Sequence, residues 1–238
     1  MEPEKQKRDY VLPASILIAA LMVTFALVYN TGKKTEDQAA NLAGSAQNNQ
    51  NAPTPENIKP VSGADHILGN PNAPIKIIEF SDLECPFCKS FHLTMHQIMA
   101  TFGDQVAWVY RHFPLPSLHP KAPKEAQAAE CAAKLGGNDK FWAFINGIFK
   151  ITPSNNGLDL AELPKIATDI GLDLNQFNSC LSSTYGQDKI QNDSNDAENS
   201  GAQGTPYSVV VNKFGKKFVV NGGLSFQQVS DIINQALK

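Results

Sequence analysis

The sequence predicts an α/β fold in which a helical insert interrupts the sheet, and one transmembrane helix precedes the folded part. Three observations support this prediction. Residues 11–29 hold no charged residue, residues 75–110 show a strand–helix–strand pattern, and a long helical stretch then leads into two further strands and a final helix. These patterns divide the chain into a short leading segment, an anchor, a linker and one folded domain.

Length, composition and charge exclude several classes of protein. The 238 residues suit one or two domains, and 42% hydrophobic with 18% charged residues is typical of a globular protein. The formal net charge is −3, with both signs scattered along the chain. A nucleic-acid partner is therefore not expected, because binding phosphates needs a basic patch. Four cysteines are too few for a disulfide scaffold in a chain of this length.

The apolar N-terminal segment at 11–29 is predicted to be a single-pass membrane anchor. A helix of this length rises about 28 Å, close to the thickness of a bilayer's hydrocarbon core. Tyr10 and Tyr29 would lie at the two interfaces. A cleaved signal peptide and a buried core helix are the alternatives, but signal peptides have shorter apolar regions and a small-x-small cleavage site. No such site directly follows Tyr29.

The segments on either side of the anchor set the expected topology. Residues 1–10 are too few to form a domain, so we expect them in the cytoplasm and the C-terminal part outside it, although the lysine and arginine bias is weak. Residues 30–60 are rich in Asn, Gln, Ala, Ser, Thr and Pro, and such a segment cannot bury enough surface to offset its ordering entropy. We therefore predict a flexible linker at 30–60 and a folded domain at 61–238.

The folded domain is predicted to begin with a β-α-β unit. Residues 75–80 form a mostly apolar, β-branched run, and residues 106–110 form another. Between them, a helix is predicted from about 85 to 101, because its apolar residues recur at helical spacing on one face. Two strands joined through a helix are normally parallel.

A helical insert at about 121–200 follows the second strand. Glycine, proline and serine breaks divide it into five predicted helices, near 122–135, 138–149, 160–170, 175–181 and 184–199. Residues 207–211 and 217–220 are predicted to form a β-hairpin. An amphipathic helix at 226–237 ends the chain.

The motif Cys85-Pro86-Phe87-Cys88 lies at the predicted junction between the first strand and its helix. A helix N-terminus carries unpaired N–H groups and about half a positive charge, and both stabilise a thiolate. The pKa of the first cysteine therefore falls, which makes Cys85 the nucleophile and Cys88 the resolving thiol. Pro86 suits the first helical turn, where its missing N–H is not needed.

A zinc site is the alternative use of these cysteines, because His92 and His96 follow Cys88 at successive four-residue steps. However, Cys85 and His96 would be separated by about 16 Å of helical rise, which one metal ion cannot span. We therefore predict a redox pair, with no metal site and no cofactor.

The segment EFSDLECPFC at residues 79–88 resembles the DsbA-like branch of the thioredoxin superfamily. Further matches follow in the same order: RHFPL at 111–115, AECA at 129–132, KFW at 140–142 and GTP at 204–206. The resemblance covers residues 61–238. It implies a thioredoxin-like fold with a helical domain inserted in it, which fits the predicted insert.

The resemblance also assigns residues to substrate binding. Thr205 and Pro206 match the loop whose proline is cis and faces the redox pair in this superfamily, and its backbone can pair with an extended substrate chain. Pro86 and Phe87, between the cysteines, are assigned to the same surface.

Two acidic residues precede the redox pair. Glu79 matches the buried acid below the cysteines of thioredoxin-like proteins, where it would take the proton from Cys88. The alternative is a solvent-facing glutamate at the end of a strand. Glu84, next to Cys85, would oppose thiolate formation by its like charge and is interpreted as a modulator of the redox potential.

Cys131 and Cys180 are predicted to form a structural disulfide within the insert. Closing a loop of about 50 residues stabilises a fold by roughly 4 kcal/mol in the chain-entropy model. Two separate buried thiols, and a second redox pair that exchanges electrons with the first, are the alternatives.

The predicted function is that of an extracytoplasmic protein-disulfide oxidoreductase, which introduces disulfides into exported client proteins through Cys85 and Cys88. The family resemblance implies a quinone-linked membrane partner that reoxidises it. Because no segment beyond the anchor suggests dimerisation, we expect a monomer. The alternatives are a disulfide reductase or isomerase, a membrane-tethered protein that binds metal through its thiols, and a non-catalytic interaction module.

Overall fold

The computed structural model describes residues 54–238. The predicted segment at 1–10, the anchor at 11–29 and the linker up to residue 53 lie outside the described residues. Within residues 54–238, no helix is both long and apolar enough to cross a membrane.

A five-stranded mixed sheet forms the centre of the described structure, with strand order β1-β3-β2-β4-β5. The strands are β1 (His66–Gly69), β2 (Ile75–Ser81), β3 (Val106–His112), β4 (Tyr207–Asn212) and β5 (Lys217–Asn221). The pair β2 and β3 is parallel, as predicted, and the other neighbours are antiparallel. Strand β2 lies between β3 and β4, so it has no free edge.

Six α-helices accompany the sheet in the described part of the chain. They are α1 (Pro86–Phe102), α2 (Ala122–Ile151), α3 (Glu162–Asp169), α4 (Leu174–Leu181), α5 (Gln187–Asn199) and α6 (Phe226–Ala236). Helices α2 to α5 form the insert that connects β3 to β4. The mixed α/β sheet with inserted helices confirms the predicted architecture.

Two details differ from the sequence-based prediction. Strand β1 was not predicted, because its four residues are too few to show a period. The predicted helices at 122–135 and 138–149 are the two halves of α2, which is kinked at Gly136 and Gly137. Gly137 has φ of 75°, a conformation that glycine adopts without steric cost, so the kink falls on the predicted break.

Successive side chains of β2 point to opposite faces of the sheet, so they pack in two different apolar cores. Ile77 packs in the larger core with α1, α6 and the helices α2 to α4. Ile78 and Phe80 pack in a smaller core that includes Ala197 of α5. Glu79 therefore faces the same side as Ile77, which is the side where α1 carries the cysteines.

Candidate active site

The two cysteines of the motif lie at the start of α1 as free thiols. Cys85 is the N-cap residue, and Pro86 occupies the first helical position, where proline needs no hydrogen-bond acceptor. Cys85 is 5% exposed and Cys88 is fully buried. Both residues are therefore buried, and Cys85 is the more accessible of the two.

The surroundings of the two thiols shift their pKa values in opposite directions. A hydrogen bond from the Cys88 thiol, helped by the N–H groups of Phe87 and Cys88, lowers the pKa of Cys85 to about 6. Burial, together with the charge on Cys85, raises the pKa of Cys88 well above its usual value. The pair therefore holds its first negative charge on Cys85, the more accessible sulfur.

Glu79 is fully buried on β2, so it is not the solvent-facing glutamate that sequence analysis left as an alternative. Its Oε2 accepts a hydrogen bond of 2.8 Å from Trp108 Nε1, whereas its Oε1 is buried without a partner. Burial raises the pKa of Glu79 to about 7, although the hydrogen bond from Trp108 opposes the shift. The charge of Glu79 also contributes to the raised pKa of Cys88. A carboxyl with these properties can exchange a proton near neutral pH.

The loop that carries Thr205 and Pro206 completes the site. The peptide bond between these residues is cis, and the Cys85 thiol donates to the Thr205 carbonyl oxygen at 3.4 Å. Pro206 itself is buried, whereas Phe87, between the cysteines, is 67% exposed. Of the four residues assigned to substrate binding, Thr205 therefore contacts the nucleophile and Phe87 offers the largest apolar surface beside it.

Asp82, a buried acidic residue to which sequence analysis gave no role, lies behind the active-site loop. Asp82 accepts hydrogen bonds from the Glu84 and Leu115 backbone N–H groups, each at 2.8 Å, and its Oδ2 is 3.0 Å from His119 Nδ1. Asp82 also donates its own backbone N–H to Cys88 Sγ at 3.5 Å. The carboxylate thus fixes the loop that positions both cysteines.

Glu84 is fully buried and joins the active-site loop to the helical insert. It accepts from the Leu158 N–H at 3.2 Å through Oε1, and from the Asn155 N–H at 2.8 Å through its backbone carbonyl. Burial, together with the neighbouring Glu84 carboxyl, raises the pKa of Glu125 in α2 to about 9. Near neutral pH, Glu125 is therefore protonated. No sequence pattern links these residues, which are far apart in the chain.

Cys131 and Cys180 form a disulfide, with a Cα–Cα distance of 5.8 Å. Cys131 belongs to α2 and Cys180 to α4, so the bond joins two helices of the insert. Both residues are buried in the larger core.

Comparison with known proteins places these features in a family. A family model described as Thioredoxin matches residues 61–235. The chain is similar to the crystal structure of Pseudomonas aeruginosa DsbA2, with 28% identity and a TM-score of 0.62 over 74% of this chain and 96% of that one. It is also similar to Wolbachia pipientis α-DsbA1, with 26% identity and a TM-score of 0.65 over 77% of this chain and 95% of that one.

A different kind of similarity connects the chain with much longer proteins. It is 33% identical over 144 residues to a protein of Mycolicibacterium gilvum named Na(+)/H(+) antiporter NhaA 1. The match covers 60% of this chain but only 22% of that protein. The chain thus spans about a fifth of the curated relative that it matches.

Proposed function

This chain belongs to the thioredoxin family, and we propose that it is a DsbA-like thiol–disulfide oxidoreductase that introduces disulfides into exported proteins. The observation that carries the proposal is the asymmetry of the cysteine pair. Cys85, the more accessible of two buried thiols, has a pKa of about 6, whereas the pKa of Cys88 is raised. Such a pair favours release of Cys85 as a thiolate when a disulfide is passed on.

The reaction begins with the oxidised enzyme. A client thiolate attacks Cys85 Sγ of the Cys85–Cys88 disulfide, so a bond forms between the client sulfur and Cys85 while the bond to Cys88 breaks. Cys88 leaves as a thiolate and takes up a proton. A second client thiolate then attacks the client sulfur of the mixed disulfide and expels Cys85 as a thiolate. The client has lost two electrons to form its disulfide, and the enzyme has gained them as a dithiol.

Glu79 is proposed to supply and remove the proton at Cys88. The buried Cys88 thiolate is unfavourable without a counter-charge, so its formation needs a proton donor close by. With a pKa of about 7, Glu79 is protonated in a large fraction of molecules near neutral pH and can give that proton to Cys88. In the reverse direction, it takes the proton when Cys88 attacks a mixed disulfide.

We also propose that this reaction takes place outside the cytoplasm, on a membrane-anchored protein. The uncharged segment at 11–29 would anchor the protein with its C-terminal part outside the cytoplasm, where disulfides persist. The disulfide between Cys131 and Cys180 supports an oxidising compartment. There the clients would be exported proteins with cysteines, and a quinone-linked membrane protein would reoxidise the monomeric enzyme.

The reduction potential of the Cys85–Cys88 pair tests the direction of electron flow. The purified full-length chain is equilibrated with glutathione buffers, and the fraction of dithiol is measured at each ratio. A potential near about −120 mV would support a donor of disulfides, whereas a value near about −270 mV would indicate a reductase and overturn the proposal. A Cys88→Ala variant should accumulate a mixed disulfide with an oxidised client, because Cys85 attacks the client disulfide and the thiol that would resolve the product is missing.

A further inference from the structure

Three polar atoms from two helices converge on one side of the redox helix. His92 Nε2 lies 2.6 Å from Asn146 Oδ1, and His96 Nε2 lies 3.1 Å from the same oxygen. The two imidazole nitrogens are 3.2 Å apart. His92 and His96 belong to α1, four residues apart and on one face, whereas Asn146 belongs to the second half of α2. The cluster therefore holds two nitrogens and one carbonyl oxygen within contact of one another.

These separations are close to those of atoms that share a metal ion. Ligands about 2.05 Å from an ion lie about 2.9 to 3.4 Å apart at octahedral or tetrahedral angles. Two of the three distances fall in that range, and the shorter contact between His92 and Asn146 needs to open by only a few tenths of an ångström. From these contacts we infer that His92, His96 and Asn146 form a binding site for a divalent first-row transition-metal ion such as Ni²⁺, Zn²⁺ or Cu²⁺.

Hydrogen bonding alone leaves this cluster incompletely satisfied. If both histidines donate from Nε2 to Asn146 Oδ1, the buried Nδ1 of His92 has no partner. If Nε2 of His92 is instead the unprotonated nitrogen, its lone pair faces the carbonyl oxygen at the shortest distance in the cluster. In this second case, a bound cation removes the repulsion between the nitrogen and oxygen lone pairs. Both nitrogens and the oxygen then act as electron-pair donors to the cation.

The chemical surroundings favour neutral imidazole at this site. The chain has five histidines. The other three lie beside carboxylates: His66 and His112 contact Glu130, and His119 contacts Asp82. His92 instead lies against the rings of Trp108 and Phe149. Metal coordination requires a neutral imidazole, and apolar surroundings disfavour the charged form of the ring.

The number of ligands limits the expected affinity. In residues 54–238, no group of three or more His, Cys, Asp or Glu side chains could hold a metal ion, so the third ligand here is an uncharged amide. His96 and Asn146 are partly exposed, which leaves room for water at the open positions of the ion. Coordination through Nε2 also leaves the ring proton of His92 on Nδ1, which has no hydrogen-bond partner to orient the ring. We therefore expect micromolar rather than nanomolar binding.

The proposed site differs from the zinc site that sequence analysis rejected. That site would have used Cys85 and Cys88 together with the histidines, along a helix too long for one ion. Here the cysteines take no part, and Asn146 from the insert supplies the ligand that α1 lacks. Metal binding at this site therefore does not depend on the redox state of the pair.

Two tryptophans provide a direct signal of occupancy. The ring of Trp108 lies 5.1 Å from His92 and 5.5 Å from His96, and Trp142 lies 4.7 Å from Trp108. These are the two tryptophans of the chain. A paramagnetic Ni²⁺ ion held by the histidines would therefore quench most of the intrinsic tryptophan fluorescence.

The test is a Ni²⁺ titration of the full-length chain, purified without a polyhistidine tag. The protein is fully oxidised, so that both cysteine pairs are disulfides and no thiolate competes for metal. We expect saturable quenching with one ion per chain at micromolar concentration, reversed when Zn²⁺ competes. His96→Gln should weaken binding by at least about tenfold, whereas Gln97→Ala on the exposed side of the same helix should leave it unchanged.

A second variant tests the site by gain of affinity. Asn146→Asp replaces the amide oxygen by a carboxylate, which should tighten Ni²⁺ binding by about tenfold or more. Retained disulfide-exchange activity and an unchanged near-ultraviolet circular dichroism spectrum show that each variant is folded. The proposal is overturned if the wild-type chain shows no saturable binding below about 1 mM, or if His96→Gln and Asn146→Asp both bind like the wild type.

Discussion

Cys85 Sγ lies 3.4 Å from the carbonyl oxygen of Thr205, although the two residues are 120 positions apart in the sequence. The contact joins the N-terminus of α1 to the loop before β4. It places the nucleophile against a stretch of backbone next to the exposed ring of Phe87. A client chain that reaches Cys85 must therefore meet the Thr205 loop as well.

Removing the Cys88 thiol should raise the pKa of Cys85. The Cys88 thiol donates the hydrogen bond that contributes most to the low value of about 6, and alanine offers no donor in its place. In Cys88→Ala, we expect the pKa of Cys85 to rise by about one unit or more, measured by thiolate absorbance near 240 nm during a pH titration. The helix N–H groups remain, so the pKa should stay below that of a free cysteine. An unchanged value would show that the backbone and the helix N-terminus alone stabilise the thiolate.

Replacing Glu79 by Gln should slow the proton-dependent step at Cys88. Glutamine retains the hydrogen-bond acceptor for Trp108 but cannot exchange a proton, so we expect a roughly tenfold slower release of mixed disulfide near pH 7. The rate of Glu79→Gln should also lose its inflection near pH 7. Glu162→Gln, at a partly exposed surface ion pair with Lys165, is the matched control and should behave like the wild type. A wild-type pH profile in Glu79→Gln would remove Glu79 from the mechanism.

The same substitution should stabilise the fold above neutral pH. The pKa of Glu79 is raised from 4.5 to about 7 in the folded state, so its contribution to stability is present below pH 4.5 and is lost as the pH rises towards 7. Glu79→Gln should therefore increase the free energy of unfolding by up to about 3 kcal/mol at pH 8, with little change at pH 4. Urea unfolding at the two pH values measures the difference. An equal effect at both would show that lost contacts, rather than ionisation, determine it.

Glu125→Gln should stabilise the protein over a wider pH range. Because the pKa of Glu125 is raised from 4.5 to about 9, folding is increasingly penalised as the pH rises from about 5 to 9. Glutamine is similar in size to glutamate and stays neutral over this pH range. We expect a gain of at least about 2 kcal/mol at pH 9 and a much smaller one at pH 5, by urea unfolding. A loss of stability at pH 9 would mean that ionisation of Glu125 does not penalise the folded state.

The Cys131–Cys180 disulfide should contribute to stability without taking part in exchange. Its half-cystines are 49 positions apart, so opening the bond should cost about 2 to 4 kcal/mol of unfolding free energy. A Cys131→Ser, Cys180→Ser double variant should therefore unfold at lower urea concentration, while the Cys85–Cys88 reduction potential remains unchanged. A shifted potential, or slower oxidation of clients by the folded variant, would identify the disulfide as a second redox pair.

The parts of the fold that follow from local patterns were predicted correctly from the sequence. The strand at 75–80, the helix after it and the parallel strand at 106–110 are each indicated by the pattern of apolar residues in their own segment. The cysteine pair was placed at the start of α1 by the same patterns. By contrast, the contact of Thr205 with Cys85 was expected only through the family resemblance, because nothing near either residue indicates the other.

The contacts that sequence analysis missed are those between elements far apart in the chain. Nothing in the sequence near Glu84 or Glu125 indicates that the two residues are neighbours. Only the packing of the insert against the active-site loop buries them together. Likewise, the spacing of His92 and His96 does not indicate their burial, and His92 is 3% exposed because Asn146 and Phe149 of α2 cover it. Such pairings depend on tertiary structure, which a periodic pattern does not encode.

The insertion of α2 to α5 between β3 and β4 has a consequence for the order in which the protein is made. Strand β4 pairs with β2 in the middle of the sheet, yet the ribosome synthesises it only after the entire insert. A nascent chain therefore carries both redox cysteines and Glu79 for more than half of the translation of its folded part before Thr205 exists. During that interval, the larger core is open on the side that β4 and α6 later close. Chain elongation thus separates the appearance of the reactive thiols from the completion of the loop that contacts Cys85.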